Sequence, residues 1–202
     1  MRNTVVASSG IAALLVACLL SASGVNVAKA QSDWASQLLP NYQAQAKEVM
    51  RLAAISLNQT RYSKFTQAFT SFFKSGDLVI DEDATILIPA NGGLKRTKVK
   101  DFDSLTRNQK IRLLRYHIIK GRYNAMEINT APQNKLFPTF NQNLPLKKTS
   151  DSWAAFLDTV PPRVVASEGY RYSYTEMRVP NAGLVKNIAA QGVSWCLEPP
   201  NL

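Results

Sequence analysis

The sequence contains a single histidine, His117, and only two cysteines, Cys18 and Cys196. One histidine excludes metal sites built from several histidines, and two cysteines exclude a disulfide scaffold and any cysteine-rich zinc or iron–sulfur site. A histidine-dependent catalyst would have to use His117. No Gly-x-Ser-x-Gly elbow and no lysine-containing phosphate loop is present. We therefore expect a protein without catalytic residues, a cofactor or a bound metal.

Charge is also scarce, but the chain is not disordered. Charged residues make up 19% of its 202 residues and apolar residues 46%, which is enough apolar material for the core of one domain. Lysine and arginine outnumber aspartate and glutamate by 24 to 14, giving a net charge of +10. Three consecutive acids at residues 81–83 lack the spacing of a calcium loop, so they indicate a solvated turn.

The N-terminus has the pattern of an export signal. Residues 11–20 (IAALLVACLL) are continuously apolar, too short to cross a bilayer, and Ala28-Lys29-Ala30 is typical of a signal-peptidase site. We expect a signal peptide over residues 1–30. The alternative is that residues 15–18 (LVAC) form a bacterial lipobox, which would leave a lipid anchor on Cys18. Both alternatives place the protein outside the cytoplasm, as a secreted, periplasmic or lumenal protein.

Cleavage after residue 30 would leave Cys196 as the one cysteine of the mature chain. It lies in residues 193–197 (VSWCL), which look like a strand, so we expect a buried thiol that acts as a small apolar residue. The same cleavage removes Arg2 and Lys29, leaving 22 basic and 14 acidic residues.

Helical patterns dominate the first half of the chain. Residues 32–57 favour a helix, which we assign to an N-terminal helical extension over residues 31–60. Residues 61–74 repeat aromatic side chains at three- and four-residue intervals, which predicts a helix with an apolar core-facing stripe. A third helix is predicted from Ser104 or Thr106 to Tyr116, because either residue can cap its first turn.

Extended patterns dominate the second half. Strands are predicted at residues 84–88, 118–119, 122–128, 164–166, 170–179 and 193–197, while residues 131–162 are rich in proline, asparagine and lysine. Helices early and strands late favour an α+β fold over an alternating α/β fold.

Three blocks of the sequence resemble the fasciclin family in order and spacing. Residues 85–94 (TILIPANGGL) are similar to its first signature, residues 113–123 (LLRYHIIKGRY) to its central Tyr-His segment, and residues 181–200 to its closing block. The resemblance covers about residues 65–200 and is to a divergent member: Gly92 and Gly93 replace larger residues, and the family's second histidine is missing. It implies a fasciclin-like domain over residues 61–202, with N-terminal helices packed on a wedge of two β-sheets.

The resemblance also suggests a structural role for particular residues. It implies that His117 lies in the core and bonds a buried polar partner, for which Asn91 is the candidate. The motif residues that we expect to act in this way are Pro89, Asn91, Tyr116, His117, Gly121 and Gly192.

Basic residues concentrate between positions 95 and 122, where Asp101 and Asp103 are the local acids. The alternatives are a solvated helix face and a docking surface for an anionic partner, whose binding would weaken with salt. The ten basic residues are Lys95, Arg96, Lys98, Lys100, Arg107, Lys110, Arg112, Arg115, Lys120 and Arg122.

Two functions follow as hypotheses. The first is an exported, non-enzymatic adhesion module that binds another protein or an anionic matrix polysaccharide, and does not bind nucleic acid. The second is an extrinsic subunit docked on a bacterial membrane complex, or on an anionic membrane surface, through the basic residues.

Overall fold

The computed structural model describes residues 41–94, 102–149, 156–159, 174–200 and 202. The helices are α1 (Tyr42–Ser56), α2 (Gln59–Lys74), α3 (Asn91–Leu94), α4 (Arg107–Tyr116) and α5 (Ala125–Thr130), with a short 3-10 helix at Phe102–Ser104. The strands are β1 (Ala84–Pro89), β2 (Ile118–Lys120), β3 (Leu136–Pro138), β4 (Pro145–Lys148), β5 (Phe156–Thr159), β6 (Tyr174–Leu184) and β7 (Ile188–Val193). Helices precede most of the strands, so the α+β class expected from the sequence is confirmed.

The strands follow the order β2-β1-β7-β6-β5-β4-β3. The long strand β6 is shared: it pairs with β7 in one sheet and with β5 in the other, and its pairing with β7 shifts register on either side of Val179. The two ends of the order also meet, because Ile119 of β2 forms a bridge with Thr139, just after β3. All the pairs are antiparallel except β1 with β7. The result is a wedge of two sheets joined along β6.

Local sequence explains where α2 and α4 begin. Asn58 caps α2 by accepting a hydrogen bond from the Thr60 amide, and Thr106 forms a capping box with Gln109 at the start of α4. Along α2, Phe65 and Phe69 are fully buried, as the aromatic spacing predicted. The first turn of each helix is thus fixed by a polar side chain.

Both faces of β1 are buried, and for this reason polar and apolar residues do not alternate along it. Ile86 and Ile88 face the core that α1 and α2 cover, and Leu87 faces a second core between the two sheets. Tyr116, Phe137 and Leu146 belong to this second core. The strand therefore separates the helical layer from the interior of the wedge.

Helix α1, which we assigned from the sequence to an N-terminal extension, contributes to the core of the domain. Its Val49 and Ala53 are fully buried. A Cβ atom at Gly183 of β6 would lie 2.5 Å from the carbonyl oxygen of Val49, so glycine is required for the helix to approach the strand this closely. Residues 31–40 of the predicted extension lie outside the described residues.

Two predicted strands are wrong. Residues 122–128 were predicted to be extended, but Asn124 and Glu127 form a capping box that starts α5. Residues 193–197 were predicted to form a strand, but β7 ends at Val193 and the following residues turn. The predicted strand at residues 164–166 and the first part of that at 170–179 lie outside the described residues. Within the part of the chain that is described, no helix is long and apolar enough to span a bilayer.

Candidate functional site

His117 sits at the C-terminal end of α4, fully buried, between three parts of the chain. Its Nδ1 atom lies 2.9 Å from the carbonyl oxygen of Leu113, and its Nε2 atom accepts a hydrogen bond from the Leu197 amide, also at 2.9 Å. The ring of Phe65 packs against the imidazole with 5.3 Å between centroids. Because Nε2 accepts, Nδ1 carries the proton and donates it to Leu113. Both ring nitrogens are thus occupied by backbone groups.

Burial lowers the pKa of His117 from 6.5 to about 4, and the hydrogen bond to the Leu113 carbonyl only partly opposes this effect. The imidazole is therefore neutral at physiological pH. A neutral ring with both nitrogens bonded and no exposed atoms is unsuited to exchanging protons with a substrate. The geometry gives His117 a structural role.

Asn91 is not the partner of His117, so the pairing that we expected is wrong. Its Oδ1 atom accepts a hydrogen bond from the Lys64 amide at 3.0 Å. Its Nδ2 group donates to the carbonyl oxygen of Thr60 at 2.9 Å and to Oγ of Ser63 at 3.1 Å. The Thr60 carbonyl and the Lys64 amide are four residues apart, so the Asn91 side chain contacts the two backbone groups of one helical turn in α2. Asn91 therefore ties α3 to the start of α2.

The other motif residues occupy separate positions around the wedge. Tyr116 is buried in the second core, with its hydroxyl 3.5 Å from the carbonyl oxygen of Pro145. Pro89 ends β1 opposite Val193, and Gly192 lies in β7. Gly121 follows β2 and donates its amide hydrogen to the carbonyl oxygen of Asp83 at 2.7 Å. The structure does not bring these residues together in one cleft.

Gly93, one of the two glycines that depart from the signature, lies against the closing block. A Cβ atom there would lie 2.5 Å from the carbonyl oxygen of Ser194 and 2.8 Å from Cα of Trp195. A side chain would therefore collide with backbone atoms, which cannot move aside as a flexible side chain can. At Gly92 a Cβ would meet nothing within 4 Å.

The predicted basic surface is divided among several intramolecular contacts. Arg107 forms an ion pair with the Asp77 carboxylate, and Arg115 donates to the carbonyl oxygen of the same residue. The paired guanidinium group of Arg107 lowers the pKa of Asp77. Asp77 lies thirty residues before Arg107, so the count of nearby acids in the sequence missed it.

The remaining described basic residues of this set lie in different places. Lys110 donates to the carbonyl oxygen of Asp103, Lys120 pairs with Glu82 at 2.7 Å, and Arg122 donates to the carbonyl oxygen of Val185. Arg112 is exposed on α4. Lys95, Arg96, Lys98 and Lys100 lie outside the described residues. The described members are therefore not a single patch of unpaired charge.

The order of the elements and the contacts of the three blocks can now be compared with those of known proteins. The family model of the fasciclin domain matches residues 60–168, more than half of the chain. The chain belongs to the fasciclin family. A comparison with curated proteins gives no match.

One solved structure similar to this fasciclin domain is a FAS1 domain pair from the insect cell adhesion molecule fasciclin I. The two chains share 18% identity, with a TM-score of 0.48, and the match covers 71% of this chain and 47% of that one. This chain thus spans about half the length of the domain pair. Fasciclin domains are in general non-catalytic adhesion and protein-binding modules.

Several buried polar groups of the fasciclin domain were not singled out in the sequence, among them Lys148 and Gln191. Lys148 of β4 is 1% exposed, and its Nζ donates to the carbonyl oxygens of Asn129 and Ala131 at 2.6 and 2.5 Å. A cation there stabilises the C-terminal end of α5. Strand alternation would have indicated Lys148, because it lies on the same face as the buried Leu146.

The second is Gln191 of β7, which is fully buried. Its Nε2 donates to the carbonyl oxygen of Tyr123 at 3.1 Å, and its Oε1 accepts from the Asn181 amide at 2.6 Å. The Asn181 side chain in turn accepts from the Ala125 amide at the first turn of α5. No sequence signal short of the fold predicts this chain of contacts, because Ala125 lies 56 residues before Asn181.

Cys196 is 2% exposed and packs with Phe102 and Leu113. Burial, together with the nearby Glu198 carboxylate, raises the pKa of its thiol. The buried, apolar role expected for Cys196 is confirmed, although the residue lies beyond β7 rather than in a strand. Among the described residues, no group of three or more histidine, cysteine or acidic side chains is arranged to hold a metal ion.

Proposed function

We propose that this chain is an exported, non-enzymatic binding module that holds another protein or an anionic matrix polysaccharide. Membership of the fasciclin family carries the proposal, because its domains are in general adhesion and protein-binding modules. The export signal in residues 1–30 supports a location outside the cytoplasm. The basic composition favours a partner that carries negative charge.

The burial and the hydrogen bonds of three polar side chains support a role in binding rather than catalysis. His117 is neutral and bonded at both nitrogens, and the thiol of Cys196 is buried with a raised pKa. The ammonium of Lys148 is bonded to two backbone carbonyls. Catalysis needs a nucleophile or an acid–base group that reaches the substrate, and these three groups face the interior of the fold.

The excess of basic residues favours a second candidate function. Ten of the 24 lysines and arginines fall between positions 95 and 122. In this alternative the protein is an extrinsic subunit that docks through those residues on the periplasmic or lumenal face of a bacterial membrane complex. Its contacts would be numerous and screened, so they would weaken steeply with salt.

A pull-down experiment tests both functions. The tagged protein is incubated with detergent-solubilised membranes of its source cells and, separately, with immobilised acidic polysaccharide, at low and high salt. Capture of several surface proteins or of the polysaccharide supports the adhesion module. Recovery of one membrane complex in constant stoichiometry supports the extrinsic subunit, and failure to retain any partner contradicts both.

The intact mass of the protein purified from its source cells tests the location. A chain that begins at Gln31 supports cleavage by signal peptidase, and a diacylated chain that begins at Cys18 supports the lipid anchor. An unprocessed chain that starts at Met1 in the cytoplasm contradicts export.

A further inference from the structure

A groove runs along the outer surface between α1 and α2. Only Leu57 and Asn58 separate the two helices, which form an antiparallel pair. Two overlapping cavities of about 460 and 440 Å3 lie between them, sharing Met50, Ala54 and Thr70 in their walls. A smaller cavity of about 190 Å3 continues the groove from Ala54 towards Tyr62.

The groove is open because small side chains line the seam. Ala46 and Ala54 on α1 face Thr66, Thr70 and Ser71 on α2, and none of these side chains can bridge the gap between two helix axes. The walls are apolar at Ala54 and Phe73, which are half-buried, and Met50 and Phe69 are buried beneath them. Ile55, 70% exposed, lies one helical turn beyond Arg51 on the same face of α1 and extends the apolar surface.

Separate contacts hold the two helices at this spacing. Val49 of α1 packs on the backbone of Gly183 in β6. Asn91 holds the first turn of α2 through Thr60 and Lys64. Each helix is thus fixed to a different part of the fold, in addition to the packing of both helices in the first core.

The net charge of the two helices that form the groove is positive. The two helices carry five basic residues and one acid, Glu48. Glu48 pairs with Arg51, and Lys64 pairs with Asp103. Within the described part of the chain, Lys47 and Lys74 take part in no ion pair. Both line the same end of the groove, so its apolar walls end between two unneutralised ammonium groups.

We propose that this groove binds an amphipathic helix of a partner protein, with apolar side chains on one face and carboxylates on its flanks. The inference rests on the proposed function, for which it names the binding site. Apolar side chains at helical spacing would cover the exposed parts of Ala54, Ile55 and Phe73, as in other complexes that place a helix in a groove. The flanking carboxylates would meet Lys47 and Lys74. An open groove suits a helix better than a small molecule, because pockets for small molecules enclose most of the ligand's surface.

The test uses three fluorescein-labelled peptides of about 15 residues, each designed as a helix. The first carries leucines along one face and glutamates on the flanks, the second replaces the glutamates by lysines, and the third replaces the leucines by serines. Fluorescence polarisation with the full chain should show saturable binding of the first peptide alone. Equal binding of the lysine peptide, or no binding of the glutamate peptide, would overturn the proposal.

Two variants of the protein locate the binding. Thr70→Glu places a carboxylate in the groove at an exposed position, and Lys47→Glu with Lys74→Glu reverses the charge at its end. Each should weaken binding of the glutamate peptide at least about tenfold. The matched controls are Asn108→Glu, exposed on α4, and Lys135→Glu with Lys186→Glu, which make the same charge changes at exposed sites elsewhere. If the control variants weaken peptide binding equally, the binding is due to general electrostatic attraction, and the assignment of the binding site to the groove is overturned.

Two further outcomes separate this inference from the proposed function. If the groove variants retain every partner captured by the unmodified chain in the pull-down, the proposed function stands and the groove assignment falls. If the unmodified chain captures no partner, the proposed function falls as well. A dimer of the unmodified chain that Thr70→Glu dissociates in sedimentation would assign the groove to a second copy and overturn the proposal.

Discussion

The Nε2 atom of His117 accepts a hydrogen bond from the amide of Leu197, eighty residues later in the chain, at 2.9 Å. This contact attaches the segment after β7 to the end of α4. Both groups are buried, so neither can turn to water if the contact is lost. The imidazole therefore connects the helical layer to the C-terminal segment through its hydrogen bonds.

Replacing His117 by alanine should lower the free energy of unfolding by about 2–4 kcal/mol, because two buried backbone groups lose their partner and a cavity forms. Urea denaturation followed by circular dichroism measures the loss. Asn91→Ala breaks a different set of contacts, so the two effects should add to within about 0.5 kcal/mol in the double variant. Strong coupling between them would instead indicate a shared contact.

Stability should fall in mild acid. The pKa of His117 is about 4 in the folded protein and 6.5 as the unperturbed value, so the unfolded chain binds the proton first as pH falls. The contribution is fully present above pH 6.5, decreases by about 1.4 kcal/mol per pH unit below it, and stops changing below pH 4. Urea denaturation between pH 7 and 5 measures this slope before most carboxylates titrate. His117→Gln should remove it, and an unchanged slope in that variant would assign it to other groups.

Gly93→Ala should destabilise the protein by about 1–3 kcal/mol, because its Cβ would collide with the backbone at Ser194 and Trp195. Gly92→Ala is the matched control, since its Cβ would meet nothing. The control should be neutral or stabilising by up to about 1 kcal/mol. Thermal denaturation of the two variants side by side distinguishes these outcomes, and equal effects would contradict the close approach of α3 to the closing block.

Lys148→Met should destabilise the protein by about 1–3 kcal/mol, although it keeps most of the side-chain volume. The carbonyl oxygens of Asn129 and Ala131 would lose their donor in a buried site. The neighbouring Lys147 is half-buried, and Lys147→Met should change stability by less than about 0.5 kcal/mol. Hydrogen exchange of the α5 amides gives a local readout, and it should increase in the first variant alone.

The Cys196 thiol should not react with iodoacetamide in the folded protein, because it is buried and its pKa is raised. Labelling followed by peptide mass analysis checks this, and the rate should rise to that of a free thiol in denaturant. Rapid labelling under native conditions would show that the segment after β7 opens readily.

Helices whose signals are local were predicted well from the sequence. The repeated phenylalanines placed α2, and of the two caps predicted for α4, Ser104 and Thr106, the structure has Thr106. The helix α5 carries an equally local signal in Asn124 and Glu127, which was outweighed by the extended pattern around it. The predictions that depended on distant contacts were less successful. The partner of His117 is a backbone amide of the closing block. Since every residue except proline has a backbone amide, the pattern of side chains does not indicate which one bonds the imidazole.

The basic residues illustrate the same limit at the surface. Counting neighbours in the sequence left their charges opposed by Asp101 and Asp103 alone. The fold brings Asp77 to Arg107 and Glu82 to Lys120, which neutralises part of the predicted surface. The α1–α2 groove was missed for a related reason: small residues on two helices form a groove only when other contacts fix the helices at a distance.

The bridge between Ile119 and Thr139 has a consequence for how this domain meets other molecules. Since the first and last strands of the order touch, the wedge approaches a closed ring and offers little free strand edge in the region of β2 and β3. A protein of this kind is protected there against strand-by-strand stacking into aggregates. In the region of β2 and β3, contact with another molecule then depends on side chains and not on added strand pairing.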